Sequence, residues 1–145
     1  MSIFNNIDIN VRKRQGNLGV ARAIYEYTKM GYVVLVPLSD SEKYDLVIDD
    51  GSNLLKVQVK TSRCKTKQGT YNRTGWQVNL STKGGNTTKN TIRCRQQLDY
   101  DILFVLVDVG DCWSIPIEAL GEAKHSINLG ATGPRAKYTE YQIKE

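Results

Sequence analysis

The chain has 145 residues, 40% of them hydrophobic and 24% charged, with a formal net charge of +5. That is one domain's length, enough to bury a core without staples, and no apolar run nears the ~18 residues of a membrane span. The first ten residues lack the basic-then-apolar order of a secretion signal. Cys64, Cys94 and Cys112 fit neither a zinc pattern nor a disulfide framework. A single domain over residues 1–145, cytoplasmic, with reduced thiols and no membrane partner, is expected.

Residues 1–15 are polar and basic, and are expected to be loose or to cross a neighbouring subunit. From Asn17 to about Met30 the residues Leu18, Ala21, Ile24, Tyr25 and Thr28 recur at helical spacing, and Gly31 stands where a C-terminal glycine cap belongs. Tyr32 to Leu38 predicts a short strand ending near Pro37. Tyr44 to Asp49 and Leu54 to Thr61 are β-rich runs joined by Asp50-Gly51-Ser52-Asn53, which predicts a hairpin. Residues 62–73 read as a polar connection, Gly75 to Leu80 as a strand, and Ser81 to Asn90, with Gly84-Gly85, as a mobile loop. Asp101 to Val109 holds a continuous apolar run, Ile102 to Val107, and predicts a strand buried on both faces. Asp111 to Pro116 gives another strand after a turn at Gly110, and Ile117 to Leu120 begins a short helix. Beyond Ser126, Gly130, Gly133 and Pro134 break any long element. The order predicts an α/β fold built on a mixed β-sheet flanked by helices.

Strand side chains alternate, so Gln58 and Lys60 share one face while Val57 and Val59 share the other. Asp45 near the start of the preceding strand brings an acid to the same end of the hairpin. An acid, an amide oxygen and an ammonium gathered there point to a divalent-metal site facing a phosphate. Lys56 to Gln97 holds ten basic residues and no Asp or Glu. A stretch of one sign suits a polyphosphate partner, because each Lys or Arg contact releases counterions. Within it Arg63, Lys65, Lys67, Arg73, Lys83, Lys89, Arg93 and Arg95 are the candidate DNA contacts, and the arginines suit guanine edges best. Trp76 is read chiefly as packing, and His125 is not expected to carry metal or triad chemistry.

Gln15-Gly16-Asn17-Leu18-Gly19, Gly31-Tyr32-Val33-Val34-Leu35-Val36-Pro37, Tyr44-Asp45-Leu46-Val47 and Val57-Gln58-Val59-Lys60-Thr61 together resemble the PD-(D/E)XK nucleases. The nearest branch is that of the group I intron homing endonucleases, in which Gln can replace the second acid. Tyr100-Asp101-Ile102-Leu103-Phe104 and Trp113-Ser114-Ile115-Pro116 look like the same branch. The resemblance runs over about residues 13–120, leaving 121–145 as a C-terminal extension. It implies a restriction-endonuclease-like core and metal-dependent hydrolysis of DNA phosphodiesters. Asp45 is then the metal-binding acid, Gln58 stands for the second acid, and Lys60 is the motif lysine. Mg²⁺ or Mn²⁺ would be held by Asp45, Gln58 and the backbone carbonyl of Val59.

Val20 departs from the pattern, since it occupies the position where the family places a helix Glu. Glu26 lies roughly 120° around the helix from it. The partner is double-stranded or branched DNA, and cutting two strands with one site per domain implies a homodimer or homotetramer. An endonuclease of homing, mobile-element or phage type, a junction-resolving enzyme and a nuclease fold that binds DNA without cutting all remain open, as does a small sheet protein with a protein partner.

Overall fold

The computed structural model of the chain describes residues 2–5, 12–67, 74–83, 92–93, 99–130 and 136–145. Its elements in chain order are α1 (Arg12–Lys29), β1 (Val33–Leu35), β2 (Leu46–Asp49), β3 (Leu54–Ser62), β4 (Lys65–Lys67) and β5 (Thr74–Asn79). There follow β6 (Thr82–Lys83), β7 (Ile92–Arg93), β8 (Ile102–Val107), β9 (Cys112–Pro116), α2 (Ile117–Leu120), β10 (Ser126–Leu129) and a 3-10 turn at Thr139–Tyr141.

Helix α1 ends as its glycine predicts. Gly31 takes a φ of 90°, its N–H donates to Thr28 O (2.9 Å), and Tyr32 N–H reaches back to Tyr27 O (3.0 Å). This is the Schellman arrangement, and the Tyr32 ring packs against Tyr27 as its apolar clasp. The start differs from expectation, because the helix begins before Asn17 and runs through Gly16. Glycine costs a helix interior about 1 kcal/mol relative to alanine, so the extra turn rests on tertiary contacts made by Gln15. Residues 2–5, expected to be loose, are also tied down. Phe4 is fully buried, and Ile3 N–H donates to Asp108 O (2.6 Å).

The main sheet has the order β1-β2-β3-β8-β9, with β3 and β8 parallel and the other pairs antiparallel. Its hairpin turn is closed by side chains. Asp49 Oδ1 accepts Gly51 N–H, Asp50 Oδ1 accepts Ser52 and Asn53 N–H, and Gly51 takes a φ of 91°. Strand β1 is shorter than the predicted Tyr32–Leu38, consistent with Pro37 having no N–H to offer a ladder. Strand β8 is the expected doubly buried one, with Leu103 to Val107 all buried.

Two apolar layers cover the sheet. On one face Ala23 and Tyr27 of α1 meet Leu46, Ile48, Val57, Val59, Phe104 and Leu106. On the other, a small sheet of order β10-β5-β4 lays Val78, Ile127 and Leu129 over Leu103, Val105 and Val107. The polar connection at 62–73 therefore contains a strand, β4, and the predicted loop at 81–90 opens with β6, which pairs with β7; its residues 84–90 lie outside the described residues. The tail also joins the body. Strand β10, too short to stand out in sequence, alternates exposed and buried against β5, and Ile143 N–H donates to Cys112 O (2.8 Å). No helix among the described residues is long and apolar enough to cross a membrane.

Candidate active site

The neighbours of β3 change along its length. Strand β2 pairs with Leu54 to Val57, and β8 pairs with Val57 to Ser62. Only Val57 belongs to both ladders. Beyond it, on the side β2 has left, the backbone of β3 is open. Asp45, just before β2, turns into that notch.

Asp45 N–H closes the ladder by donating to Val57 O (2.8 Å). Its Oδ2 then takes the next backbone donor on the open edge, Val59 N–H, at 2.8 Å. Gln58 Nε2 donates to the same Oδ2 at 2.8 Å and to Val59 O at 3.3 Å. Two oxygens, one carboxylate and one backbone carbonyl, thus converge on a single donor. Oδ1 of Asp45 is left without a hydrogen bond among the described residues. Tyr44, which precedes Asp45, packs its ring on the second apolar layer and carries the Lys56 ammonium 5.4 Å from its centroid. That contact fixes the chain where it enters the site.

Lys60 lies on the Gln58 side of β3 and is half-buried. Its ammonium makes no hydrogen bond or ion pair within 4 Å among the described residues, where Arg22–Glu26 and Lys43–Asp99 are the ion pairs found. Burial pushes its pKa below the ordinary lysine value, and the nearby Asp45 charge opposes that shift. Asp45 moves the other way: burial raises its pKa, against the Val59 N–H and the Lys60 charge. A poorly solvated cation and a poorly solvated anion on one rim are the arrangement a phosphate and a cation would complete.

The structure brings Asp45, Gln58, Val59 and Lys60 together at the notch. It places Val20 on α1, half-buried against the first apolar layer. Its neighbour Gly19 lies so close to β3 that a Cβ there would come within 2.6 Å of Thr61 Cγ2 and 3.1 Å of Val59 Cγ1. Glu26 is buried and spent on Arg22, with Oε1 2.7 Å from Arg22 Nε. Among the described residues no group of three His, Cys, Asp or Glu could hold a metal.

Of the candidate DNA contacts, Arg63 and Lys65 are exposed at the turn where β3 passes into β4. Lys67, Lys83 and Arg93 fall on β4, β6 and β7, while Arg73, Lys89 and Arg95 lie outside the described residues. Trp76 is a packing residue, with Nε1 donating to Asp108 Oδ1 (2.8 Å) and its ring against Gly130 and Trp113. Burial pushes the Cys112 thiol up to about 11, which leaves it unreactive.

Sequence reasoning missed the first turn of α1. Arg12, Lys13 and Arg14 are exposed there, with no acid beside them. Cations at a helix N-terminus oppose the macrodipole, so helix stability does not account for them. Three consecutive basic residues were the available signal, hidden by placing the helix start too late.

The sequence profile of the PD-(D/E)XK endonuclease family matches residues 10–144, further in both directions than the expected 13–120. Among solved structures, a bacterial homing endonuclease, I-Ssp6803I, is similar with a TM-score of 0.69 and 27% identity, over 90% of this chain and 88% of that one. No curated protein matches the chain by sequence.

Proposed function

The chain belongs to the PD-(D/E)XK endonuclease family, and from that premise we propose that it is a metal-dependent DNA endonuclease of homing or mobile-element type. The observation that carries this reading is the convergence of Asp45 Oδ2 and Val59 O on one donor, beside a Lys60 ammonium that makes no ion pair within 4 Å among the described residues. Oxygen donors of this kind suit a hard cation such as Mg²⁺, or Mn²⁺ in its place.

Asp45, Val59 O and the Gln58 amide would hold that ion. For Gln58 to contribute Oε1, its amide must turn, because it now presents Nε2 to the two oxygens. Bound there, the ion would lower the pKa of an attacking water and polarise the phosphate. Lys60, a compact point charge, meets the scissile phosphate and offsets the negative charge that develops on it. With a single carboxylate, cation affinity is weak until DNA phosphate oxygens join the site, which ties cutting to correct docking. Arg63 and Lys65, with Lys67, Arg73, Lys83, Lys89, Arg93 and Arg95, supply the backbone contacts. Duplex cutting then requires a homodimer or homotetramer.

The test is a Mg²⁺ and Mn²⁺ titration of nicking on supercoiled plasmid and on four-way junction DNA, with Lys60→Ala as control. Metal-dependent cutting that the variant lacks supports the reading, and the preferred substrate separates a duplex cutter from a resolvase. A second reading, a DNA-binding module without catalysis, is favoured by Val20, which offers no ligand where the family has Glu. Val20→Glu separates the two: a wild-type chain that binds DNA but cuts only after this change is the silent module.

A further inference from the structure

The close approach of α1 to β3 has a second product besides packing. The Thr61 methyl faces Gly19, and its hydroxyl Oγ1 accepts a hydrogen bond from Gln15 Nε2 at 2.8 Å. That bond sets which way the Gln15 amide points. With nitrogen turned to Thr61, Oε1 faces the end of β3 and accepts Arg63 Nε–H at 3.1 Å. The guanidinium carbon lies 5.3 Å from the Phe4 ring centroid, and Phe4 is fully buried. Arg63 is exposed, yet it is held by an amide on one helix and an anchored ring.

An exposed arginine fixed in this way gives up rotamer entropy. No acid occurs from Lys56 to Gln97, and Arg63 forms no ion pair among the described residues. Among the described residues one of its five N–H donors is used, and the four on the terminal nitrogens make no hydrogen bond. A planar fork with open donors and a fixed stem is the geometry for bidentate binding of a phosphate. Arg63 lies one residue beyond β3 and three past Lys60, so its side chain leaves on the opposite face, toward α1. It is about 10 Å along the chain from the lysine, a span in which one DNA strand carries roughly three phosphates along its axis.

Resting on the nuclease reading above, we propose that Gln15 is a positioning residue, oriented by Thr61, that aims the Arg63 guanidinium at a backbone phosphate flanking the bond to be cut. Arg63 then binds phosphate rather than a base edge, so its contribution is the same for every sequence.

The experiment measures affinity for a mixed-sequence duplex as a function of salt, with Ca²⁺ replacing Mg²⁺ and melting temperature recorded for each variant. Arg63→Ala should weaken binding several-fold and reduce the magnitude of the log–log salt slope by about 0.9. Gln15→Leu should lose part of that slope, and should have no further effect in the Arg63→Ala background. Thr61→Val keeps the methyl against Gly19 while removing the acceptor, and should reproduce the Gln15→Leu loss without lowering the melting temperature. Gln15→Leu at wild-type slope and affinity, or equally harmful with and without Arg63, overturns the proposal. A steep wild-type slope that Arg63→Ala leaves unchanged overturns the clamp alone. A wild-type chain with no salt-dependent DNA affinity overturns the nuclease reading and the clamp with it.

Discussion

Leu54 and Ser62 stand at opposite ends of one face of β3, and their surroundings are opposite in kind. Leu54 is 65% exposed, at the end of the sheet where Val33 and Leu35 of β1, two strands away, are exposed too, whereas Ser62 is 6% exposed beneath β5. The small sheet of β4, β5 and β10 covers one end of the face only. Gln58 and Lys60 fall at its rim, half-buried, just where β2 leaves the opposite edge of the strand. A fully covered position would force a lysine to find a buried partner, and a fully open one would leave it solvated and weak. The rim shields the ammonium from water while leaving it open to an incoming anion.

Changes along this face should therefore grade from loss of chemistry to no effect. The largest is expected at Lys60. Lys60→Met should reduce metal-dependent cleavage at least about hundredfold, the scale of losing one donor to a developing anion, while raising the melting temperature. Stability rises because burial already holds this lysine's pKa below the ordinary value, so the charged form is less favourable folded than unfolded. A melting temperature that falls would mean that the Asp45 attraction outweighs desolvation.

At the covered end, Ser62 Oγ donates to Gln77 O and accepts Cys64 N–H. Ser62→Val strands both partners and should cost about 1–3 kcal/mol, read by urea denaturation. A neutral result would show that the small sheet docks without that link.

The pH dependence probes the rim itself. Asp45 has a raised pKa, from burial first, so the folded chain holds that proton more tightly than the unfolded one. Its contribution to stability is fully present below the unfolded pKa and is lost as pH rises through the folded pKa. Cleavage needs the ionised form, so its acid limb should lie at higher pH than an exposed aspartate would give. A pH–rate profile with an ordinary carboxylate limb would contradict the shielding. The smallest effect is expected at the open end, where Leu54→Thr should stay within about 0.5 kcal/mol of wild type. A larger loss would show that something covers this face.

Local chemistry was enough to place much of the molecule. The Gly31 cap, the Asp50–Asn53 turn, the apolar run of β8 and the alternation that puts Gln58 with Lys60 all depend on neighbours close in sequence. So did the order of short motifs that carried the family resemblance, and with it Asp45, Gln58 and Lys60 as candidates. What the sequence left out depends on contacts between distant segments. The start of α1 and the burial of Phe4 follow from their contacts with β3 and the residues around it, so residues 1–15 looked loose when read alone. Strand β10 has four residues, and only its partner β5 makes it a strand. The notch arises because β2 and β8 overlap β3 at one residue, an offset that no periodicity encodes. Gln15 and Arg63, 48 positions apart, meet only because Gly19 lets a helix settle onto a strand. Hydrophobic period and turn residues specify elements, but the relative placement of elements is set by packing, and the candidate site of this chain lies where that packing leaves an edge open.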